Sequence, residues 1–585
     1  MEPNEWDLRE LLSSDDVQEV QRRLQIIEER VRHLESFKDF LGHRLSPSEL
    51  GEFLKAKEVV AEDLAMLQNY AFLRCAAKTN DDKAMALSSQ FSQFDAQVSN
   101  RLLFFTHWWK DVDEEYASKM QSSLPRFRHY LFEIRRIKPF LLSEPEERII
   151  NLKDVTGREA IIKQYDLKTS AFRFNVRVDG KTKSYLDTQM HGLITDPRPE
   201  VRSAAYKSFH SVYRGAEQEL GELYRSRVID WKQENIDLRH HQSSIAARNI
   251  SNDIPDDAVN VMLHVVQRNI VLFQDYFRRK AKLLSIEKMS RDHVYAPMHR
   301  ISVSIPFAQG VAMVESAYKR FSPQMATLAM NVIKHDHLDA QVRPNKEGGA
   351  FCATATPGII PYVLQSYDNK WNDVSTLAHE LGHAVHSQLA SKQSIFVQHA
   401  PLPLAETASI FGEMLLEKDF IQTLKTNEDR VSLIAKRLDG LYASIARQSY
   451  FVLFEKQAHD LIAKGATIQE VSDVYYKNLK GQFGPIAVPK HFRYEWLRVS
   501  HFIHYPFYVY AYAFGNLLTL ALYEKYLEEG LSFVPKYLKL LSYGGSERPE
   551  VMLRELDIDM RDARFWQGGM DVVHKMLDEL KTLTK

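Results

Sequence analysis

His379, Glu380 and His383 set two imidazoles four residues apart with a carboxylate beside the first. On a helix, positions i and i+4 share a face, so both rings can point at one cation. Glu380 can then reach a water held on that cation. This is the H-E-x-x-H arrangement of zinc hydrolases: the metal acidifies water, and the glutamate takes the proton as general base. The chemistry needs a helix, and the surrounding residues supply one. Residues 371–390 hold no proline, and their single glycine, Gly382, lies inside the motif. Val374, Leu377, Ala378, Leu381, Ala384, Val385 and Leu389 recur at helical spacing.

A catalytic zinc site takes three protein ligands and leaves one position open. The pattern with a third histidine ten positions after the first is absent, because that position is Leu389. His386 shares the helix face, but three ligands from one straight helix crowd poorly around a tetrahedron. It is read as supporting a ligand from behind or as packing. Downstream, Pro401-Leu402-Pro403 breaks the chain, and a new helix is expected to start near Leu404 and run past Leu416. Glu406 would face the first helix from its opening turn and serve as third ligand. Glu413, seven residues on, would lie on the same face, either orienting a ligand or simply solvated.

The run from His379 to His386, with Glu406-Thr407-Ala408-Ser409 and Glu413, resembles the thimet-oligopeptidase-like zinc metallopeptidases, most nearly the oligoendopeptidase F branch. Gly348-Gly349-Ala350-Phe351-Cys352 is similar to that family's glycine-containing loop and edge strand. Tyr362-Val363-Leu364 and Asp373–Ala378 match the lead-in to its zinc helix. His501-Phe502 and Phe507–Gly515 resemble its C-terminal His/Tyr segment. The likeness is specific from about 292 to 515 and weaker from 197 to 297; before 120 there is only a compatible helical pattern.

The resemblance implies a mostly α, two-lobed metallopeptidase fold enclosing a deep channel, with a small β-sheet beside the zinc helix. It implies one Zn2+ per chain on His379, His383 and Glu406, and an endopeptidase acting on short, unstructured peptides. Glu380 would pass its proton on to the leaving amine. The developing oxyanion needs a donor beyond the metal. The resemblance points to His501 and a tyrosine; Tyr508 and Tyr512, at i and i+4, are expected to share a helix face there. A peptide strand would pair along Gly349, Ala350 and Phe351 through backbone hydrogen bonds, small residues letting it come close. The alternatives are a zinc carboxypeptidase using the same ligands and a catalytically silent peptide-binding homologue.

The rest of the chain must position these groups. At 585 residues it can build more than one core. Its net charge of −1, with no one-signed tail, argues against a nucleic-acid partner. Two distant cysteines, Cys75 and Cys352, and an acidic start with no apolar leader suggest a cytoplasmic protein. Residues 501–523 are apolar enough to suggest a membrane span, but His501, His504, Asn516 and the tyrosines favour burial beside a polar cleft. The domains are drawn at 1–195, helical with a small hairpin, and 196–585, catalytic.

Val17, Val20, Leu24, Ile27, Val31 and Leu34 form a coiled-coil-like stripe. An antiparallel hairpin with a helix over 50–70, joined through Gly42 and Ser46-Pro47, is preferred to a dimer zipper, so a monomer is expected with a dimer left open. Phe172–Val178 and Lys181–Tyr185 around Asp179-Gly180 read as a β-hairpin. Further strands are expected at 301–305 and 350–367. His335-Asp336-His337 lacks the barrel-strand context of a metal site. His240-His241 reads as a solvated pair.

Overall fold

The computed structural model describes every residue except Met1, Pro3, Gly42, His43, Arg300 and Ser302, and every other side chain except that of Glu144. The fold is mostly α, and the described strands form two small sheets. The chain gathers into two compact units. The first comprises Met1–Lys138, Ser302–Thr423 and Lys525–Ile558; the second comprises Pro139–Ile301, Leu424–Glu524 and Asp559–Lys585. Both are discontinuous in sequence, whereas the division at 195/196 is linear. No described helix is long and apolar enough to cross a membrane.

The first unit opens with three helices, α1 (Val17–Ser36), α2 (Pro47–Ala77) and α3 (Asp82–Asp111). Each start has a reason in sequence. Asp16 and Asp81 cap α1 and α3 with their carboxylates. Ser46 and Glu49 form a reciprocal capping box on α2, with Pro47 in its first turn. Val20, Ile27, Val31 and Leu34 of the stripe are buried against α2 and α3. Arg74 near the end of α2 pairs with Asp15 just before α1, which makes α1 and α2 antiparallel. The hairpin is therefore intramolecular; Gly42, expected in its connection, lies outside the described residues.

Strands β1 (Phe174–Val178) and β2 (Lys181–Tyr185) belong to the second unit and pair antiparallel. Asp179 (φ 51) and Gly180 (φ 76) make the left-handed two-residue turn that such a hairpin needs. Phe174 and Val176 face inward, Phe174 stacking on Phe209 at 4.5 Å.

The second sheet belongs to the first unit, in the order β3 (Leu338–Asp339), β5 (Tyr362–Gln365), β4 (Ala350–Ala353). β5 is central and buried; β4 pairs with it antiparallel and forms an edge. The stretch 350–367 is thus two strands and a turn, because Pro357-Gly358 interrupts the pairing. At 301–305 only an isolated bridge, Ser304 to Lys370, is seen among the described residues. The loop before β4 is anchored from below. Buried Asp339 accepts from Arg343 at 2.7 Å and Lys346 at 2.8 Å, and Lys346 also donates to the carbonyl of Gln365 at 2.7 Å. Gly349, at φ 91, then turns the chain into β4 with a backbone that favours glycine.

Helices α4 (Trp371–Leu389), α5 (Leu402–Ala405) and α6 (Thr407–Thr423) complete the frame of the site. The carboxylate of Asp373 starts α4 by accepting the N–H groups of Asp368 and Lys370 at 2.7 and 2.9 Å. Trp371 stacks on Phe420 of α6 at 3.6 Å. Val374, Leu377, Ala378, Leu381, Ala384 and Val385 are fully buried, as their spacing predicts. α4 meets the backbone of α6 tightly at Gly382, where a Cβ would lie 2.6 Å from Ala408 O and 2.6 Å from Ser409 Cα. Both obstacles are backbone and cannot swing away. Gly382→Ala gains about 1 kcal/mol of helix propensity but incurs an overpacking cost of about 1–3 kcal/mol or more. We expect a net loss of stability and a fall in activity, read from the thermal midpoint; an unchanged midpoint would contradict this contact.

Candidate active site

His379 and His383 project from α4 into a cavity of about 380 Å³ bordered by β4 and by the residues around Glu406. Their rings lie 4.9 Å apart, centre to centre. Glu406 approaches both: its Oε2 is 3.3 Å from His379 Nε2 and 3.5 Å from His383 Nε2. Glu406 does not sit in a helix's opening turn as expected. It ends α5 and precedes α6, because the proline-led turn 402–405 closes before the longer helix begins. This junction points its carboxylate across to α4. His379, His383 and Glu406 offer ligand atoms that all lie within 4.8 Å of one another.

The surroundings hold these groups in place. Glu413 accepts a hydrogen bond from His379 Nδ1 at 2.6 Å, leaving Nε2 to face the cavity. Ser409 Oγ donates to Glu406 Oε2 at 2.8 Å, and Ser375 Oγ to Glu413 Oε2 at 3.4 Å. Tyr318, from the helix Phe307–Phe321, donates to the carbonyl of Ala378. Sequence reading singled out neither Ser375 nor Tyr318. Ser375 lies four residues before His379 and was accessible by spacing; Tyr318 is distant in sequence and carried no signal.

Burial alone would push His379 down, but the carboxylates of Glu406 and Glu413 raise it to about 10. Burial works against Glu406 as well, and the two histidines still hold it down at about 2. Burial pushes Glu380 up to about 7 and draws His383 below its ordinary value. The adjacent histidines thus experience opposite environments, because only His379 has carboxylates on both ring nitrogens. Glu380 is 6 % exposed and lines the cavity beside His379, as a base for a water there must.

His386 also lines the cavity, buried and drawn down to about 4, outside the cluster of three ligand atoms. Ala350 and Phe351 of edge strand β4 border the same cavity, with Gly349 just before them. Cys352, Thr354, Ser387 and His399 join them there; the thiol of Cys352 is pushed up by burial.

His501, Tyr508 and Tyr512 belong to the second unit and are brought together there. His501 stacks on Tyr508 at 5.8 Å, and Tyr512 lies edge-on to both at 6.0 and 5.4 Å. They do not share a helix face, since the helix Tyr510–Glu529 begins after Tyr508. Tyr508 lies in a turn through Phe507, whose φ is 58. His337 bonds to Ile360 O at 2.8 Å and stacks on Tyr362, while His335 turns to Asn331 O, so one nitrogen of each ring is engaged by backbone. His241 is buried against Phe140 at 4.0 Å rather than solvated.

A family profile described as Peptidase family M3 matches residues 314–572, and one described as Oligopeptidase F matches 109–174. Oligopeptidase PepF of Bacillus subtilis is 24 % identical over 99 % of this chain and 87 % of its own. An oligoendopeptidase F homologue of Borreliella burgdorferi is 25 % identical over 100 % and 98 %. Among solved structures, one from Chlamydophila abortus superposes with a TM-score of 0.89 at 22 % identity, covering 99 % of this chain and 98 % of that one. Oligoendopeptidase-F of Enterococcus faecium gives 0.71 at 21 % identity, covering 97 % and 99 %.

The pairing of His379 with two carboxylates has a measurable sign. Its stabilisation is fully present below the ordinary histidine value of 6.5 and is lost as pH climbs through about 10. In metal-free protein the thermal midpoint should therefore fall between pH 7 and 10.5 more steeply than in Glu413→Gln. A cation taken up at pH 8 must displace the His379 proton, so calorimetry in buffers of differing ionisation enthalpy should register proton release.

Proposed function

Because the chain belongs to peptidase family M3 and is a metalloendopeptidase, we propose that it hydrolyses internal bonds of short oligopeptides at a site holding one Zn2+ per chain. The observation that carries this reading is the convergence of two imidazole Nε2 atoms and one carboxylate oxygen on a cavity, within 4.8 Å of one another. That donor set suits zinc, and it leaves a coordination position open. His379, His383 and Glu406 would hold the ion. When bound, it supplies a Lewis acid that acidifies water and polarises a carbonyl.

The remaining steps fall to the chain's own side chains. Glu380 takes a proton from the attacking water and later delivers it to the leaving amine. Its burial supports this role, since a carboxylate raised to about 7 can both accept and return a proton near neutral pH. Glu413 fixes the tautomer and angle of His379, and His386 packs behind the ligands. The peptide would lie along Gly349, Ala350 and Phe351, where the edge of β4 offers backbone groups to any sequence. His501, Tyr508 and Tyr512 are assigned as donors to the developing oxyanion on the strength of the family resemblance and of their mutual proximity.

Selection of short, unstructured peptides belongs to the same proposal. A monomer is supported by the burial of the α1 stripe within the chain, and a cytoplasmic setting by two unpaired cysteines. An N-terminal part over 1–195 and a catalytic part over 196–585 belong to the same proposal.

An internally quenched peptide blocked at both ends tests the reading. Cleavage should stop with a chelator and return with zinc. A carboxypeptidase would leave the blocked peptide intact, and intact casein cut as fast as the peptide would refute size selection. Glu380→Gln should lower kcat by about 10²–10⁴-fold while retaining one metal per chain by elemental analysis. Retained turnover in that variant would remove Glu380 from its role.

A further inference from the structure

Within the second unit, two arginines grip the backbone of the segment carrying His501 and the tyrosines. Arg227 Nε donates to Ile503 O at 3.2 Å, and Arg248 Nε donates to Pro506 O at 3.2 Å. Both guanidinium groups lie against Trp231, 5.4 and 6.0 Å from its ring centre. Together with Arg158, His504 and Tyr505 they border a cavity of about 440 Å³.

One guanidinium around this cavity, that of Arg248, is left out of the ion pairing among the described residues. Arg227 is paired with Asp230 at 2.8 Å, and Arg158 with Asp154 at 2.9 Å and Glu159 at 3.2 Å. Asp166 is paired with His504 at 2.9 Å. Both carboxylates on the wall, Glu159 and Asp166, are therefore engaged. Arg248 pairs with no carboxylate among the described residues, and its terminal nitrogens donate to none of them. Glu455 acts on Arg248 electrostatically, but its Oε1 accepts the N–H of Phe507 at 2.9 Å. Full burial pushes Glu455 up to about 8, so at pH 7 it is mainly neutral and supplies little countercharge. Burial also depresses the guanidinium of Arg248. A partly desolvated cation with open donors, flanked by aromatic walls and facing a cavity, is costly until an anion meets it.

We propose that this cavity binds a carboxylate, received by the terminal nitrogens of Arg248 and flanked by Trp231 and Tyr505. The planar fork of a guanidinium matches the two oxygens of a carboxylate. The inference rests on the peptide-hydrolysing reading above, which makes the substrate's C-terminal carboxylate the leading source; a free organic acid presents the same group. Because Arg248 also holds Pro506, two residues before Tyr508, an occupied site steadies the turn that presents that tyrosine.

A matched pair of internally quenched peptides, one ending in a free acid and one in an amide, tests this, with acetate as a free-acid probe. The amide should raise KM about tenfold or more, the scale of one charge-assisted hydrogen-bond pair. Arg248→Gln should erase that difference, and Arg248→Lys should keep part of it. Acetate should compete with the acid peptide and not with the amide. Equal KM for the two peptides, together with acetate binding that quenches tryptophan fluorescence in wild type and not in Arg248→Gln, supports the site with a free acid as its ligand. Equal KM without acetate binding overturns the proposal, as does full discrimination surviving in Arg248→Gln. If Arg248→Gln does not fold, the Arg248→Lys comparison and acetate binding to wild type decide. Chelator-sensitive cleavage of both peptides at equal KM leaves the endopeptidase reading intact, whereas no cleavage of either counts against that reading itself.

Discussion

Everything in the candidate site depends on how closely two helices approach at Gly382. With hydrogen in place of a side chain, the backbone of Ala408 and Ser409 comes into contact with the middle of the H-E-x-x-H run. Glu406 lies just before that contact and Glu413 just after it, on the flanks of the same crossing. One missing Cβ therefore brings two carboxylates to His379 from opposite sides, one at each ring nitrogen. Tyr318 reinforces the crossing, since its ring covers Gly412 while its hydroxyl reaches the carbonyl of Ala378. The glycine in the motif is thus a packing requirement of the third ligand as much as a feature of the helix that carries the first two.

This geometry sets the electrostatics. Burying two carboxylates and two imidazoles costs several kcal/mol per ion unless charges and hydrogen bonds compensate. The protein compensates unevenly. His379 gains carboxylates on both nitrogens and holds its proton; His383 has Glu406 at one nitrogen, and burial outweighs it. Glu380 has no hydrogen-bonded cation of its own and is left near neutrality. A cation entering the cavity would displace the His379 proton and meet the charge already assembled on Glu406. The site is organised to exchange a proton for a metal while its intended base remains poised.

Much of this was legible in the sequence because the signals were local. The i, i+4 pair, the glycine-interrupted apolar stripe of α4 and the proline stop before Glu406 all depend on neighbours within one or two turns. The α1 stripe and the Asp179-Gly180 turn were legible for the same reason. Errors arose where tertiary contacts override local pattern. Pro403 allowed a single helix through Glu406, but the chain closes a short turn and restarts, and that break is what aims the carboxylate. Tyr508 and Tyr512 have helical spacing, yet Phe507 is held left-handed by a hydrogen bond to Glu455, more than 50 positions away. His241 sits among polar neighbours in sequence and is buried by Phe140, which no window around it reveals.

The segment from His501 to Tyr512 shows what such non-local control accomplishes. A bulky residue at positive φ costs of order 1–3 kcal/mol and persists only where its surroundings enforce it. Here they do so with side chains. Glu455 takes the N–H of Phe507, Arg248 and Arg227 take the carbonyls of Pro506 and Ile503, and Asn252 takes the hydroxyl of Tyr510 at 2.8 Å. A regular helix would satisfy those backbone groups internally and would space the tyrosines by its own repeat. Turn geometry frees their spacing from that repeat and brings His501, Tyr508 and Tyr512 within about 6 Å of one another. The cost is a set of buried polar groups whose partners must remain in place. Two of those groups are arginines, so the backbone presenting the tyrosines is held by residues that can themselves respond to charge.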